Sequence, residues 1–138
     1  MRLRLLTSLT ALAVLVSAYV HLKLWFDGFR DMDKIGPAFM ANAIGGVVIA
    51  VLLVVWRHWL PPLLAVGFGL STLGAFIISA TWGLFGLNEQ WTGWAVWTAA
   101  GAEVVAIILG AVVLMQELRA RSTGTPQPSV TLRRPQMH

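Results

Sequence analysis

The chain has 138 residues, a formal net charge of +4, and a composition that is 57% hydrophobic and only 12% charged. Water-soluble domains carry about 25% charged residues, and a chain this short has too much surface for its volume to manage on half of that. An ordinary soluble enzyme, a disordered protein and a nucleic-acid binder are therefore excluded, and the lack of cysteine removes disulfide scaffolds, thiolate metal sites and cysteine nucleophiles.

What remains is an integral membrane protein. A transmembrane helix needs about 20 apolar residues to cross about 30 Å of hydrocarbon. The first stretch that qualifies covers residues 5–26, with Lys23 able to snorkel to the interface. Its start, Arg2-Leu3-Arg4 before an apolar run and Val16-Ser17-Ala18, also reads as a signal peptide cleaved after Ala18. The run continues through Tyr19, Val20 and Leu22, longer than a typical signal, so an uncleaved span is the expectation.

The loop that follows carries Asp27, Asp31 and Asp33 interleaved with Arg30 and Lys34. Three carboxylates suggest a cation site, but the interleaved cations would neutralise it, and a solvated loop is the simpler reading. A second span covers residues 37–56, opened by Pro37, which suits a first helical turn where the missing N–H is not needed. Arg57-His58-Trp59 then anchors the chain at an interface before Pro61 and Pro62 open a third span, residues 62–85. That span is rich in small residues, among them Gly67, Ser71 and Ala75, which let a neighbouring backbone approach.

The fourth span, residues 93–114, holds Glu103 at its centre. A carboxyl at that depth costs about 2.5–3.5 kcal/mol to insert and faces the bundle interior or a partner. Ala99, Ala102, Ala106 and Gly110 lie on the same side of the helix, a small-residue face for close packing. Residues 119–138 form a basic tail without apolar periodicity, expected to be disordered beyond a four-helix domain of residues 1–118. The fold class is all-α: an up-down four-helix transmembrane bundle.

Orientation follows from the cations. Arg2, Arg4, Arg57, Arg119, Arg121, Arg133 and Arg134 lie on one side and Lys23, Arg30 and Lys34 on the other, which puts both termini in the cytoplasm of a cell with the chain in its inner membrane. Tyr19, His21, Asn42, Ser79, Thr81 and Thr98 then share the outer half of the bilayer, with Glu103 just below them. Polar groups in lipid seek one another or water, so these residues outline a small outward-facing polar cavity floored by Glu103. The alternative is that the hydroxyls bond back to their own helices and that Glu103 is protonated and hydrogen-bonds between helices.

No metal or other cofactor is expected. His58 lies on the opposite side from His21, so a bis-histidine haem pair is excluded, and a single axial His21 stands beside a structural, hydrogen-bonded one. No nucleophile–base pair is visible, and no catalytic residue is assigned.

Tyr19-Val20-His21-Leu22, Ile35-Gly36-Pro37-Ala38-Phe39 and Glu103 resemble a group of uncharacterised small four-helix membrane proteins from actinobacteria, over roughly residues 10–118. That resemblance implies a fold and no activity. In size and helix count the chain is also similar to the DoxX family, without that family's charged first helix. It matches the small multidrug resistance transporters in size, but their membrane glutamate lies in the first helix, where this chain has none. The functional expectation is an accessory or interaction subunit that forms a homo-oligomer or joins a larger membrane complex in the lipid bilayer. The alternative is a binding or transport protein that admits a small lipophilic ligand or quinone to the cavity, with Glu103 exchanging a proton.

Overall fold

A computed structural model of the chain describes residues 1–86 and 88–124. Its helices are α1 (Arg2–Phe26), a short 3-10 turn (Phe29–Asp31), α2 (Ile35–Val55), α3 (Leu60–Trp82) and α4 (Trp94–Thr123). All four α-helices are long and apolar enough to cross a membrane.

The ends of the helices have local causes. Pro61 and Pro62 sit in the first turn of α3, and the Leu60 N–H there finds an acceptor in His58 Nδ1 at 3.2 Å. At the other end α3 stops at Trp82, short of the expected residue 85. Gly83 takes φ 79, a left-handed conformation that glycine adopts without penalty, and its N–H closes on Ser79 O at 3.1 Å. Helix α4 corrects the expected tail in the opposite sense: residues 119–123 are helical, not disordered. Gln116, Glu117, Leu118, Arg119 and Ala120 are good helix formers that carry the helix past its apolar part. The remainder of the expected tail, residues 125–138, lies outside the described residues.

Direction alternates along the chain. The C-terminal part of α1, the N-terminal part of α2, the C-terminal half of α3 and the N-terminal part of α4 share one end of the bundle. Leu3 and Arg4, Val54 and Val55, Pro62, and Val113 and Glu117 share the other. Within this up-down arrangement α1 packs heavily on both α2 and α4, α3 rests mainly on α4, and α2 and α3 touch far less. The molecule is thus two hairpins, α1–α2 and α3–α4, joined along an α1–α4 seam.

Small residues set the closest approaches. A Cβ on Gly46 of α2 would stand 2.7 Å from Ala18 Cβ of α1. Ala106 is fully buried, and a Cβ on Gly110 would meet Val66 at 3.1 Å, so both lie in the α3–α4 contact as the small-residue face suggests. Ala102 is half-buried. Gly67 departs from expectation: it is exposed, with nothing within 4 Å of where its Cβ would be. The tight position is two residues on, at Gly69, where a Cβ would lie 2.7 Å from Ile107 Cγ1 and 2.9 Å from the Glu103 carbonyl oxygen. Because Gly67 and Gly69 are about 200° apart around the helix, they cannot share a face. The core between the helices is built from Ala11, Val14, Ala50, Leu53, Ala65, Phe68 and Ala106. The outside is equally apolar: Leu12, Val54 and Ile108 are 57%, 63% and 57% exposed. Such a surface suits hydrocarbon and would aggregate in water.

Candidate functional site

The largest fully buried side chain among the described residues is an acid, Glu103, 2% exposed. It is held in place from α1, where Ser17 Oγ donates to Glu103 Oε1 at 2.9 Å. One turn further along α1, His21 Nδ1 donates to the Ser17 carbonyl oxygen at 2.9 Å. A carbonyl can only accept, so this bond places the ring proton on Nδ1. His21 and Glu103, expected as a pair, are therefore linked through Ser17. The His21 ring also meets the Phe39 ring edge-on, with centroids 5.1 Å apart.

Both residues line a cavity of about 420 Å³ in the half of the bundle away from the termini. All four helices contribute to its wall, and Leu84, Phe85 and Glu89 of the α3–α4 loop close its outer end. Among its lining residues Ala38 and Ala41 of α2, Ser71 of α3 and Phe85 of the loop are exposed. Asn42 Nδ2 donates to Thr72 Oγ1 at 2.8 Å, a strap between two neighbouring helices that pack far less closely than α1 does on α2. Thr72 Oγ1 in turn donates to Phe68 O at 2.8 Å. Asn42 Oδ1 is left buried with no hydrogen-bond partner.

The remaining expected site residues divide. Ser79 is buried in the wall, and its Oγ accepts from the Glu89 N–H at 3.3 Å. Tyr19 is 62% exposed on the outside of α1. Thr81 is exposed and bonds back to Ile77 O at 2.7 Å, and Thr98 is exposed as well. These three lie at the expected depth but on outward faces, so the structure does not bring them to the cavity. Ser71 and Ala75, expected as a packing pair, line the cavity instead, as does Ala99.

Sequence reasoning missed three participants. Ser17 precedes His21 by one helical turn, so it shares the His21 face, a signal that was readable. Thr72 faces Asn42 only because α2 and α3 lie side by side. Glu89 reaches the cavity because the loop folds back, and nothing in the sequence announces that. Burial pushes the Glu89 carboxyl above the usual carboxylate range.

Elsewhere the charges are paired locally. Asp27 accepts from Lys23 Nζ at 2.5 Å, and Arg30 lies 3.5 Å from Asp31. His58 stacks on Trp56 at 4.7 Å, at the far end of the bundle from His21. Among the described residues no group of three or more histidine or acidic side chains is placed to hold a metal ion. Comparison of the chain with protein-family models, with curated proteins and with solved structures gives no match.

Proposed function

We propose that this protein is a membrane-embedded binding protein for a small lipophilic molecule. It would be a multi-pass protein of the cell membrane with both termini cytoplasmic, so that the cavity faces the outer half of the bilayer. The observation that carries the reading is the cavity itself. At about 420 Å³ it falls within the usual range for ligand pockets, about 300–1,000 Å³. Its wall is mainly apolar, with a few polar groups converging from all four helices: His21 from α1, Asn42 from α2, Ser71, Thr72 and Ser79 from α3, and Glu103 from α4. Exposed lining residues on α2 and α3, Ala41 and Ser71, would let a lipid-dissolved molecule arrive from the side without crossing water. A carboxyl that served only to join helices would not need such a space beside it.

The test is native mass spectrometry of the protein released gently from its own membrane. A small molecule at fixed stoichiometry, lost from a folded Ala99→Trp variant that fills the cavity, is the expected result. Unliganded protein under every gentle extraction, with no loss on filling the cavity, sinks the reading.

A second role, as an accessory subunit or homo-oligomer, draws support from Gly67, whose outer face meets nothing. A small exposed residue in lipid leaves room for another helix. That role predicts a co-purifying protein or second copy that is lost in Gly67→Leu.

A further inference from the structure

We infer that the ligand, granted the binding role above on which this rests, is a hydrogen-bond donor: an apolar molecule carrying one protonated amine.

The hydrogen bonds of the wall commit the protons of Ser71, Thr72 and His21 and leave acceptors over. Thr72 has one hydroxyl proton, and it goes to Phe68 O at 2.8 Å. The hydroxyl can then only accept from Asn42, which fixes the amide with Nδ2 toward Thr72. Asn42 Oδ1 is thereby the atom left buried and unpartnered. A native structure rarely leaves such an atom unpaired without a reason. His21 follows the same pattern, because its Nδ1 proton is committed to the Ser17 carbonyl oxygen and Nε2 of the neutral ring is an acceptor. Ser71 commits its hydroxyl proton to Phe68 O at 3.1 Å.

Charge and ring chemistry agree. Among the described residues the cavity is lined by two carboxyl groups, Glu89 and Glu103, and by no Lys or Arg. The cations at this end of the bundle have partners of their own: Lys23 pairs with Asp27, Arg30 lies 3.5 Å from Asp31, and Lys34 sits over the Phe85 ring at 4.8 Å. Three further phenylalanines, Phe39, Phe68 and Phe76, line the space, and aromatic faces attract an organic cation. An ammonium group supplies up to three donors, and its charge favours the ionised form of carboxyls that burial alone disfavours. A quinone or ketone would bring further acceptors to a wall of acceptors, and an alcohol brings one donor and no charge.

The experiment uses the full chain in zwitterionic phosphatidylcholine nanodiscs at neutral pH and three probes of one shape: 1-naphthylmethylamine, 1-naphthylmethanol and 1-acetonaphthone. Binding is read by native mass spectrometry against the cavity-filled Ala99→Trp variant, which subtracts partition into lipid. The amine is expected to bind at least about tenfold more tightly than either neutral probe, a difference of about 1.4 kcal/mol. That preference should fall several-fold in Asn42→Leu and, independently, in Glu89→Gln, whose loop position leaves the helix packing intact. If the ketone binds as well as the amine, the donor class is overturned while the binding role stands. If the amine preference persists in both folded variants, the wall does not cause it and the inference fails. If no probe binds above the filled variant, the binding role fails and the ligand class with it.

Discussion

Ser17 on α1 and Glu103 on α4 meet across 2.9 Å at the seam that joins the two hairpins of the bundle. The serine is fully buried on a helix made mostly of leucines, valines and alanines, and the acid it faces is 2% exposed. Each satisfies the other, and the contact fixes both the rotation of α4 and the floor of the cavity.

Removing the donor therefore leaves a buried acceptor short of a partner. Ser17→Ala should destabilise the bundle by about 1 kcal/mol, and a double-mutant cycle with Glu103→Leu should give a coupling of about 0.6–1.7 kcal/mol. Glu103→Gln keeps a carbonyl oxygen for the Ser17 hydroxyl and should cost less than Ser17→Ala. Unfolding in mixed micelles with rising dodecyl sulfate measures all five proteins. A coupling near zero would mean that the two side chains do not meet.

Two glycines a single residue apart on α3 should respond in opposite ways. Gly69→Ala places a methyl 2.9 Å from the Glu103 carbonyl oxygen, a backbone atom that cannot swing aside. A loss of about 1–3 kcal/mol is expected. Gly67→Ala enters open space and should stay within about 0.5 kcal/mol of the parent. The same micelle titration reads both, and equal effects would place the wrong face of α3 against α4.

Glu89 gives the stability a pH dependence of known sign. Its carboxyl is raised by burial, so the charged form is disfavoured in the folded protein. The stabilising contribution is then fully present below the unfolded value, near 4.5, and is lost as pH rises through the raised folded value. Thermal midpoints in detergent, followed across that window for the parent and Glu89→Gln, should differ most on the alkaline side, where the variant is the more stable relative to the parent. A difference that grows toward acid would reverse the cause assigned to the shift.

The absence of native cysteine makes the orientation directly measurable. A single Asp31→Cys should react with an impermeant maleimide from outside intact cells, and Arg57→Cys only after the membrane is opened. The reverse pattern would invert the bundle and turn the cavity toward the cytoplasmic leaflet.

The parts of this arrangement legible in the sequence are those that repeat over a helix. Four apolar stretches, prolines at their starts and one acid in the middle of the last were enough for the helices and for Glu103. Depth was legible too, since His21, Asn42 and Ser79 line the same cavity. Azimuth was harder to read. Tyr19, Thr81 and Thr98 have the right height and the wrong side, because in a bundle that is apolar inside and out no amphipathic stripe marks the inward face. The end of α4 was misjudged for a related reason: hydropathy reports where lipid ends, whereas helix propensity carries residues 119–123 on regardless.

The uneven packing of the four helices has a mechanical consequence. With α1 and α4 tightly apposed and α2 and α3 barely touching, the stiff line of the molecule runs along one side and the doorway along the other. A small rotation of one hairpin about that line displaces each atom in proportion to its distance from it. Such a motion would widen the opening between Ala41 and Ser71 while scarcely stretching the Ser17–Glu103 bond, which lies close to the axis. Its elastic resistance comes from the Asn42–Thr72 hydrogen bond and from the close approach of the Phe68 ring to Gly46.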